Sequence, residues 1–286
     1  MKPFIWHIIV CILILFIIVY VKPNTYEVPK IIWTHWDTEK LPELVQKIHA
    51  RTRHILYDWQ INFITTQQFL DKCPPGDIPN GFDTLSLPHK ADFIRLWLLK
   101  KYGGCWMDIS ILLNQSINSI YEECILKRAE VAGFYIEGLT RDMKYPVFEN
   151  WFIMAPRNSS LIRYWYDEYY RAIERGFYNY KKDCQRSGVN LQGIFHSDTD
   201  IYLTQHLCFQ KVLQQYYFIP PITVLYKAED TMFNLRKLCW DNSVNTKECY
   251  KKIYTVDNIR RQKWIKLTSG CRENFPKNIV EQLDYM

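Results

Sequence analysis

The chain has no long block of lysine or arginine, no CxxC pair, no HxH and no internal repeat. Each absence excludes something. The 36 basic and 30 acidic residues leave a formal charge of +6, and the cations are spread out in pairs such as Lys100-Lys101 and Lys181-Lys182. Without a basic stripe, nucleic acid is excluded as the main partner; a mildly basic surface suits anionic small molecules or a membrane face. The nine cysteines never fall at zinc-ligand spacing, which argues against a structural zinc. Cys184, Cys239, Cys249 and Cys271 lie in polar surroundings late in the chain. Disulfides there would suit a lumenal or extracellular body, although spacing does not reveal the pairing. Two sequons, Asn114-Gln115-Ser116 and Asn158-Ser159-Ser160, add little at this length. With no internal linker and 48% hydrophobic residues over 286 positions, one large domain is expected.

What is present begins with residues 4–21, "FIWHIIVCILILFIIVYV", an apolar run of eighteen broken only by His7. At about 1.5 Å per residue a helix of that length spans roughly 27 Å, close to a bilayer's hydrocarbon thickness. No small-x-small cleavage pattern follows, which favours an uncleaved anchor over a signal peptide. The expectation is a single-pass type II protein: residues 1–22 as anchor, a short cytosolic tail, and residues 23–286 as the body on the far side. That side is a Golgi- or ER-type lumen in a eukaryotic or viral setting and the cell surface in a bacterial one.

Aromatics make up 16% of the chain, with ten Trp and twenty Tyr. Such residues pack cores and also line nucleobase and sugar sites. "KIIWTHW" and "DWQINFITT" read as strands. "LPELVQKIHARTRHI" has helical spacing, and "DKCPPGDIPNG" is loop. "EVAGFYIEG" and "VFENWFIMAP" are further strands. "SSLIRYWYDEYYRAIERG" is a helix between a serine start and a glycine stop, and "SDTDIYLTQHLCFQKVLQQY" is another, capped by Ser197 or Asp198. Alternating strands and helices predict an α/β sheet covered by helices.

The chemistry concentrates in "HKADFIRLWLLKKYGGCWMDIS", residues 89–110. Pro88 suits a first helical turn and Gly103-Gly104 a stop. Asp92 and Arg95, three apart, share a helix face. In the strand expected after the glycines, Trp106, Asp108 and Ser110 face one way and Cys105, Met107 and Ile109 the other. A carboxylate beside a hydroxyl suits a diphosphate held through Mg²⁺ or Mn²⁺, which takes one or two protein carboxylates plus phosphate oxygens. The Asp–Arg couple suits sugar hydroxyls. The competing readings are a surface ion pair for Asp92 and Arg95, and a turn cap for Asp108. Taken together, DxxR on an apolar helix, a double glycine and an aromatic-x-Asp form a compound pattern that chance produces far less often than any of its parts.

At these residues the chain resembles glycosyltransferases with a DxD sugar-binding region: family 32 and, most of all, the capsular polysaccharide synthesis proteins. "PKIIWTHWD", "FENWFIMAPRNSSLI" and "WIKLTSG" resemble further segments of that family, so the likeness spans roughly residues 28–270. The resemblance implies an α/β, GT-A-like (Rossmann-like) mixed sheet flanked by helices, behind the one N-terminal transmembrane helix. It implies a nucleotide-diphosphate sugar as donor, Mn²⁺ or Mg²⁺ as cofactor, and a glycan, glycolipid or glycoprotein as acceptor. Carried over by position, Trp33 stacks on the base and Trp106 flanks the nucleotide. Asp92 and Arg95 hold the donor sugar, and Asp108 with Ser110 binds the metal. Ser110 stands where the DxD pattern has its second Asp, which implies weaker metal affinity. Lys266 and Thr268 are candidates for the diphosphate, and Asn150 for donor or acceptor. His196 and His206 are available as a further ligand or base.

The expected function is a membrane-anchored, metal-dependent glycosyltransferase acting with retention of configuration. The alternative is a non-catalytic carbohydrate-binding or scaffold descendant of the same fold. A metal-dependent hydrolase ranks below both, since it would want a second carboxylate or a His cluster near Asp108.

Overall fold

The computed structural model describes residues 26–240 and 246–283. The apolar run at 4–21 lies outside them; among the described residues no helix is long and apolar enough to cross a membrane.

The β-branched and aromatic segment Ile31–His35 forms β1, which pairs in parallel with β2 (Gln60–Ile64) and β3 (Gly104–Met107). Parallel neighbours need crossovers. Helix α1 (Glu43–Ile55) joins β1 to β2; α2 (Thr66–Lys72) and α3 (Leu87–Tyr102) join β2 to β3. Thr65 and Gln68 form a capping box that starts α2. After β4 (Ile111–Leu113) and α4 (Asn118–Lys127), the chain lays down β5 (Val131–Tyr135) and then β6 (Phe148–Ala155). β6 runs antiparallel between β3 and β5. Helices α5 (Ser160–Arg175), α6 (Phe177–Arg186) and α7 (Thr204–Gln215) precede β7 (Thr223–Lys227), which closes the mixed sheet in the order β2-β1-β3-β6-β5-β7. The expected mixed sheet flanked by helices is thus what the chain builds.

Alternation along β3 divides the core. Trp106 joins Phe93, Trp97, Trp165, Tyr169 and Phe209 under α3, α5 and α7, whereas Cys105 and Met107 join Phe134 and Met154 on the other face. β4 pairs antiparallel with β8 (Trp264–Lys266), setting Ile111 opposite Lys266. Beneath this ribbon a third apolar cluster gathers Ile48 of α1 with Tyr254, Ile265, Cys271 and Phe275. It includes side chains of α8 (Thr246–Ile253), α9 (Val256–Arg260), α10 (Ser269–Glu273) and α11 (Lys277–Gln282). The disulfide Cys239–Cys249 ties the start of α8's region to the preceding turn, with 5.8 Å between Cα atoms. Cys184 and Cys271 are free thiols buried in apolar clusters, despite their polar sequence neighbours. Of the two sequons, Asn114 spends its amide on the carbonyls of Ile259 (2.7 Å) and Gln262 (2.8 Å), while Asn158 is exposed in a turn.

Two expectations shift. Strand β3 stops at Met107, so Asp108, Ile109 and Ser110 form a turn in which the Ile111 amide donates to the Asp108 carbonyl at 3.0 Å. The helix placed after Ser197 starts only at Thr204; residues before it make turns stapled by Lys181, whose Nζ donates to the carbonyls of Ser197, Asp198 and Asp200. The double glycine is required by geometry. Gly103 and Gly104 have φ of +66° and +91°, and a Cβ on Gly104 would stand 2.7 Å from the Ile31 carbonyl oxygen. Gly104→Ala is therefore expected to cost about 2–3 kcal/mol, read as a lower denaturant midpoint with an unchanged slope.

Candidate active site

A cleft of about 890 Å³ opens at the carboxyl ends of β1 and β3, where the strand order reverses: the chain steps from β1 to β2 on one side and returns to β3 on the other. Crevices of open α/β sheets form at such switch points because the connections diverge there. Helix α3 carries His89, Asp92 and Arg95 inward, all buried, although most of that helix face is apolar.

Asp92 and Arg95 are a buried pair rather than a surface one. Arg95 Nη1 donates to Asp92 Oδ1 at 2.5 Å and to Gln205 Oε1 at 2.8 Å. Asn150, from β6, donates its amide to the same two acceptors at 3.0 and 2.7 Å. Gln205 Nε2 returns a bond to the Asp92 carbonyl at 2.6 Å. The four side chains form one closed network in which a shift of any member is felt by the rest. Burial raises the Asp92 carboxyl above the usual carboxylate range, against the pull of Arg95.

The turn after β3 presents Asp108 to the same network. Its Oδ1 accepts from Trp106 Nε1 at 2.9 Å and from Arg95 Nη2 at 3.4 Å, and the Arg95 guanidinium lies 5.0 Å from the Trp106 ring centroid. Its Oδ2 accepts from Lys266 Nζ at 2.5 Å, and the same ammonium donates to Ser110 Oγ at 3.0 Å. The β4–β8 ladder makes this meeting possible between residues distant in sequence, since Lys266 is the last residue of β8 and Ser110 directly precedes β4. Burial alone would raise the Asp108 carboxyl, but Lys266 and Arg95 hold it below the usual range; burial in turn lowers Lys266.

This arrangement bears on the expected divalent cation. Asp108 and Ser110 are its expected ligands, yet both Asp108 oxygens and the Ser110 hydroxyl already accept from Lys266, Arg95 or Trp106. Among the described residues no group of three His, Cys, Asp or Glu is placed to hold a metal. The donor set is one carboxylate and one hydroxyl, both already held by an ammonium, and it does not fit a divalent ion.

Trp33 also differs from expectation. Its indole N–H donates to the Gly103 carbonyl at 3.0 Å and its ring packs on Tyr102, so it belongs to the sheet–helix core and does not line the cleft. The aromatic groups that do include Trp106, Trp151, Tyr202 and Phe233, with His35 and Trp36 at the end of β1; Trp36 lies under the Arg272 guanidinium at 5.4 Å. His35 bonds Thr66 and is pushed down to about 4 by burial and by Arg95. His206 lines the cleft, with Nδ1 unpartnered and its value pushed down to about 3 by burial and Arg95, so it is neutral at physiological pH. His196 sits exposed at the mouth, and Thr268 lines the cleft beside Lys266.

Residues that sequence reasoning passed over also line or support the cleft, among them Gln205, Glu149, Arg236, Arg272, His35 and Trp36. A carboxylate inside the strand "FENWFIMA" was the available signal for Glu149, whereas the burial of Gln205 emerges only in the fold. Glu149 is raised by burial from 4.5 to about 7. Its folded value lies above its unfolded one, so its contribution to stability is complete below pH 4.5 and is lost as pH rises through 7. Unfolding free energies of wild type and Glu149→Gln should thus differ in pH slope over that window, by on the order of 3 kcal/mol end to end. Parallel curves would show that Glu149 titrates normally.

Comparison with known proteins gives the class and then the family. O-glycosyltransferase PaGT of Phomopsis amygdali is 25% identical over 164 residues, 52% of this chain and 40% of its own length. Glycosyltransferase afumC of Aspergillus fumigatus is 34% identical over 82 residues, 28% of this chain and 20% of its own. The chain thus spans well under half the length of either relative. A solved glycosyltransferase involved in glycosylating the major capsid of PBCV-1 superposes with a TM-score of 0.44 at 9% identity, covering 90% of this chain and 98% of that one. By sequence the chain stands among the glycosyltransferases. It belongs to the family described as capsular polysaccharide synthesis protein, which it matches over residues 17–180.

Proposed function

We propose that the protein transfers a sugar from a nucleotide-diphosphate sugar to a glycan, glycolipid or glycoprotein acceptor, as a GT-A-type enzyme retaining anomeric configuration. The observation that carries this reading is the convergence of Asp92–Arg95 and Asp108–Lys266 in one cleft at the carboxyl ends of β1 and β3. Family membership and the names of its relatives support it. The Asp92, Arg95 and Asn150 network orients sugar hydroxyls, while Lys266, Arg236 and Arg272 face the diphosphate. Cations preorganised where charge develops lower the barrier most.

In the transfer, the bond between the sugar's anomeric carbon and the β-phosphate oxygen breaks, and its electron pair stays on that oxygen. The acceptor hydroxyl oxygen bonds the same face of the anomeric carbon, and its proton passes to the departing phosphate. A covalent sugar adduct on Glu149 or Asp92, seen by mass spectrometry of a quenched reaction, would overturn this front-face route in favour of double displacement.

The membrane-anchored, type II arrangement is part of the proposal. Tyr26, five residues beyond the apolar run, is tied by its hydroxyl to the carbonyls of Cys124 and Ala129. Leu126, on the helix that carries Cys124, is exposed, as is Ile222, whose carbonyl accepts from the Glu130 amide next to Ala129, which suits a face turned to lipid. The Cys239–Cys249 disulfide suits an oxidising compartment.

The test is a panel of nucleotide sugars offered to the detergent-solubilised full chain, scored by release of free nucleoside diphosphate, with Asp108→Asn alongside. Turnover of one donor by wild type alone supports the reading. A folded chain that neither turns over a donor nor binds any nucleoside diphosphate sinks it.

A further inference from the structure

We propose that Lys266 is the built-in cation of this site: its ammonium stands where a divalent ion would and binds the diphosphate directly, so that diphosphate binding by this chain needs no metal. The inference rests on the glycosyltransferase reading and concerns how that enzyme holds its leaving group.

An ion at this position would need oxygens from Asp108 and Ser110, and Lys266 Nζ sits 2.5 Å from one and 3.0 Å from the other. A lysine ammonium is a compact point charge with three donors. Asp108 and Ser110 take two, which leaves one for a substrate oxygen on the cleft side. The placement is built into the backbone. Lys266 ends β8 opposite Ile111, its amide donates to the Met232 carbonyl at 2.9 Å, and the residue is 5% exposed. Admitting an ion would require Lys266 to break two charge-assisted bonds and find another partner for a buried charge, which is costly.

Ser110 fits the same account. A metal gains from a second carboxylate, whereas an ammonium already paired with Asp108 needs only a neutral acceptor, and a second carboxylate would leave excess negative charge facing the diphosphate. Two more cations line the same cleft: Arg236, whose buried Nε has no hydrogen-bond partner, and Arg272, stacked on Trp36. During transfer Lys266 keeps its proton and neutralises charge on the departing phosphate; the acceptor's proton is the one that moves.

The test uses the detergent-solubilised full chain, with inorganic pyrophosphate and UDP as probes, titrated calorimetrically in EDTA and again in Mn²⁺. The expected result is binding in EDTA equal to that in Mn²⁺ within about two-fold. Lys266→Met, which keeps the buried stem, should weaken binding in EDTA by about 10–100-fold, the loss of one charge-assisted contact. Lys266→Arg, which keeps the charge, should recover part of it. Binding that requires Mn²⁺, or that Lys266→Met leaves unchanged, overturns the proposal. The outcomes separate from those of the donor screen. A donor turned over only with Mn²⁺ keeps the transferase and removes Lys266 from this role. Pyrophosphate bound in EDTA, lost in Lys266→Met, with no donor turned over, keeps the Lys266 assignment and removes the transferase.

Discussion

Asp108→Asn is expected to lower donor turnover by about 10²–10³-fold while leaving the fold in place, the size of effect seen when one preorganised polar group is removed from a charge-stabilising site. The side chain keeps its shape, so Trp106 Nε1 retains an acceptor 2.9 Å away. What changes is the pairing of Lys266 and Arg95, which lose their shared anion. Lys266 then has only the neutral Ser110 hydroxyl as a protein acceptor and is free to drift from the position proposed for meeting the diphosphate. The acid limb of stability gives an independent readout. Asp108 is depressed in the folded state, so its contribution is present above its unfolded value and is lost as pH falls through the folded one. The wild type should therefore lose stability relative to Asp108→Asn as pH drops below about 4. If Asp108→Asn turns over donor like wild type, Asp108 does not position the cation, and the site must lie elsewhere in the cleft.

Much of the frame was legible because it rests on local signals. The β-branched run at β1, Pro88 and the double glycine around α3, and the serine cap and glycine stop of α5 each act over a few residues. The same is true of Asp92 and Arg95, whose spacing alone places them together. What was not legible depends on long-range pairing. Asp108 was expected on a strand, yet the strand ends one residue earlier because the Asp108 carbonyl accepts from the Ile111 amide in a turn that leads into β4. Lys266 meets Ser110 only through the β4–β8 ladder, a pairing of two three-residue strands with no periodicity to betray it. Gln205 carries no local signal of a role; the packing of α7 against β6 brings it to Asp92, Arg95 and Asn150. The assignment of Ser110 as a metal ligand follows the same pattern: the residue types suit an ion, and it is the arrival of a lysine from 156 residues away that changes the chemistry.

The second large effect concerns Arg95. Among the described residues its guanidinium is the one group bonded to both halves of the site, donating to Asp92 and Gln205 through Nη1 and to Asp108 through Nη2. Arg95→Ala strands Asp92 in a buried position without its counterion, and breaking such a pair costs about 3–5 kcal/mol. The carboxyl, already raised by burial, would then be held in its neutral form, and Asn150 would lose a charged acceptor. Arg95→Ala is thus expected to unfold at a markedly lower temperature and to be inactive, which by itself does not separate structure from catalysis. Arg95→Lys does. An ammonium can satisfy Asp92 but cannot span to Asp108, since only the planar fork reaches both acceptors at once. That variant should recover most of the lost stability and still lose about 10²-fold or more in kcat/KM, with the loss in kcat rather than KM if the fork matters in the transition state. Arg95→Lys with wild-type kcat would mean that Asp92 and Asp108 work independently, and that the Arg95–Asp108 bond at 3.4 Å is only a packing contact.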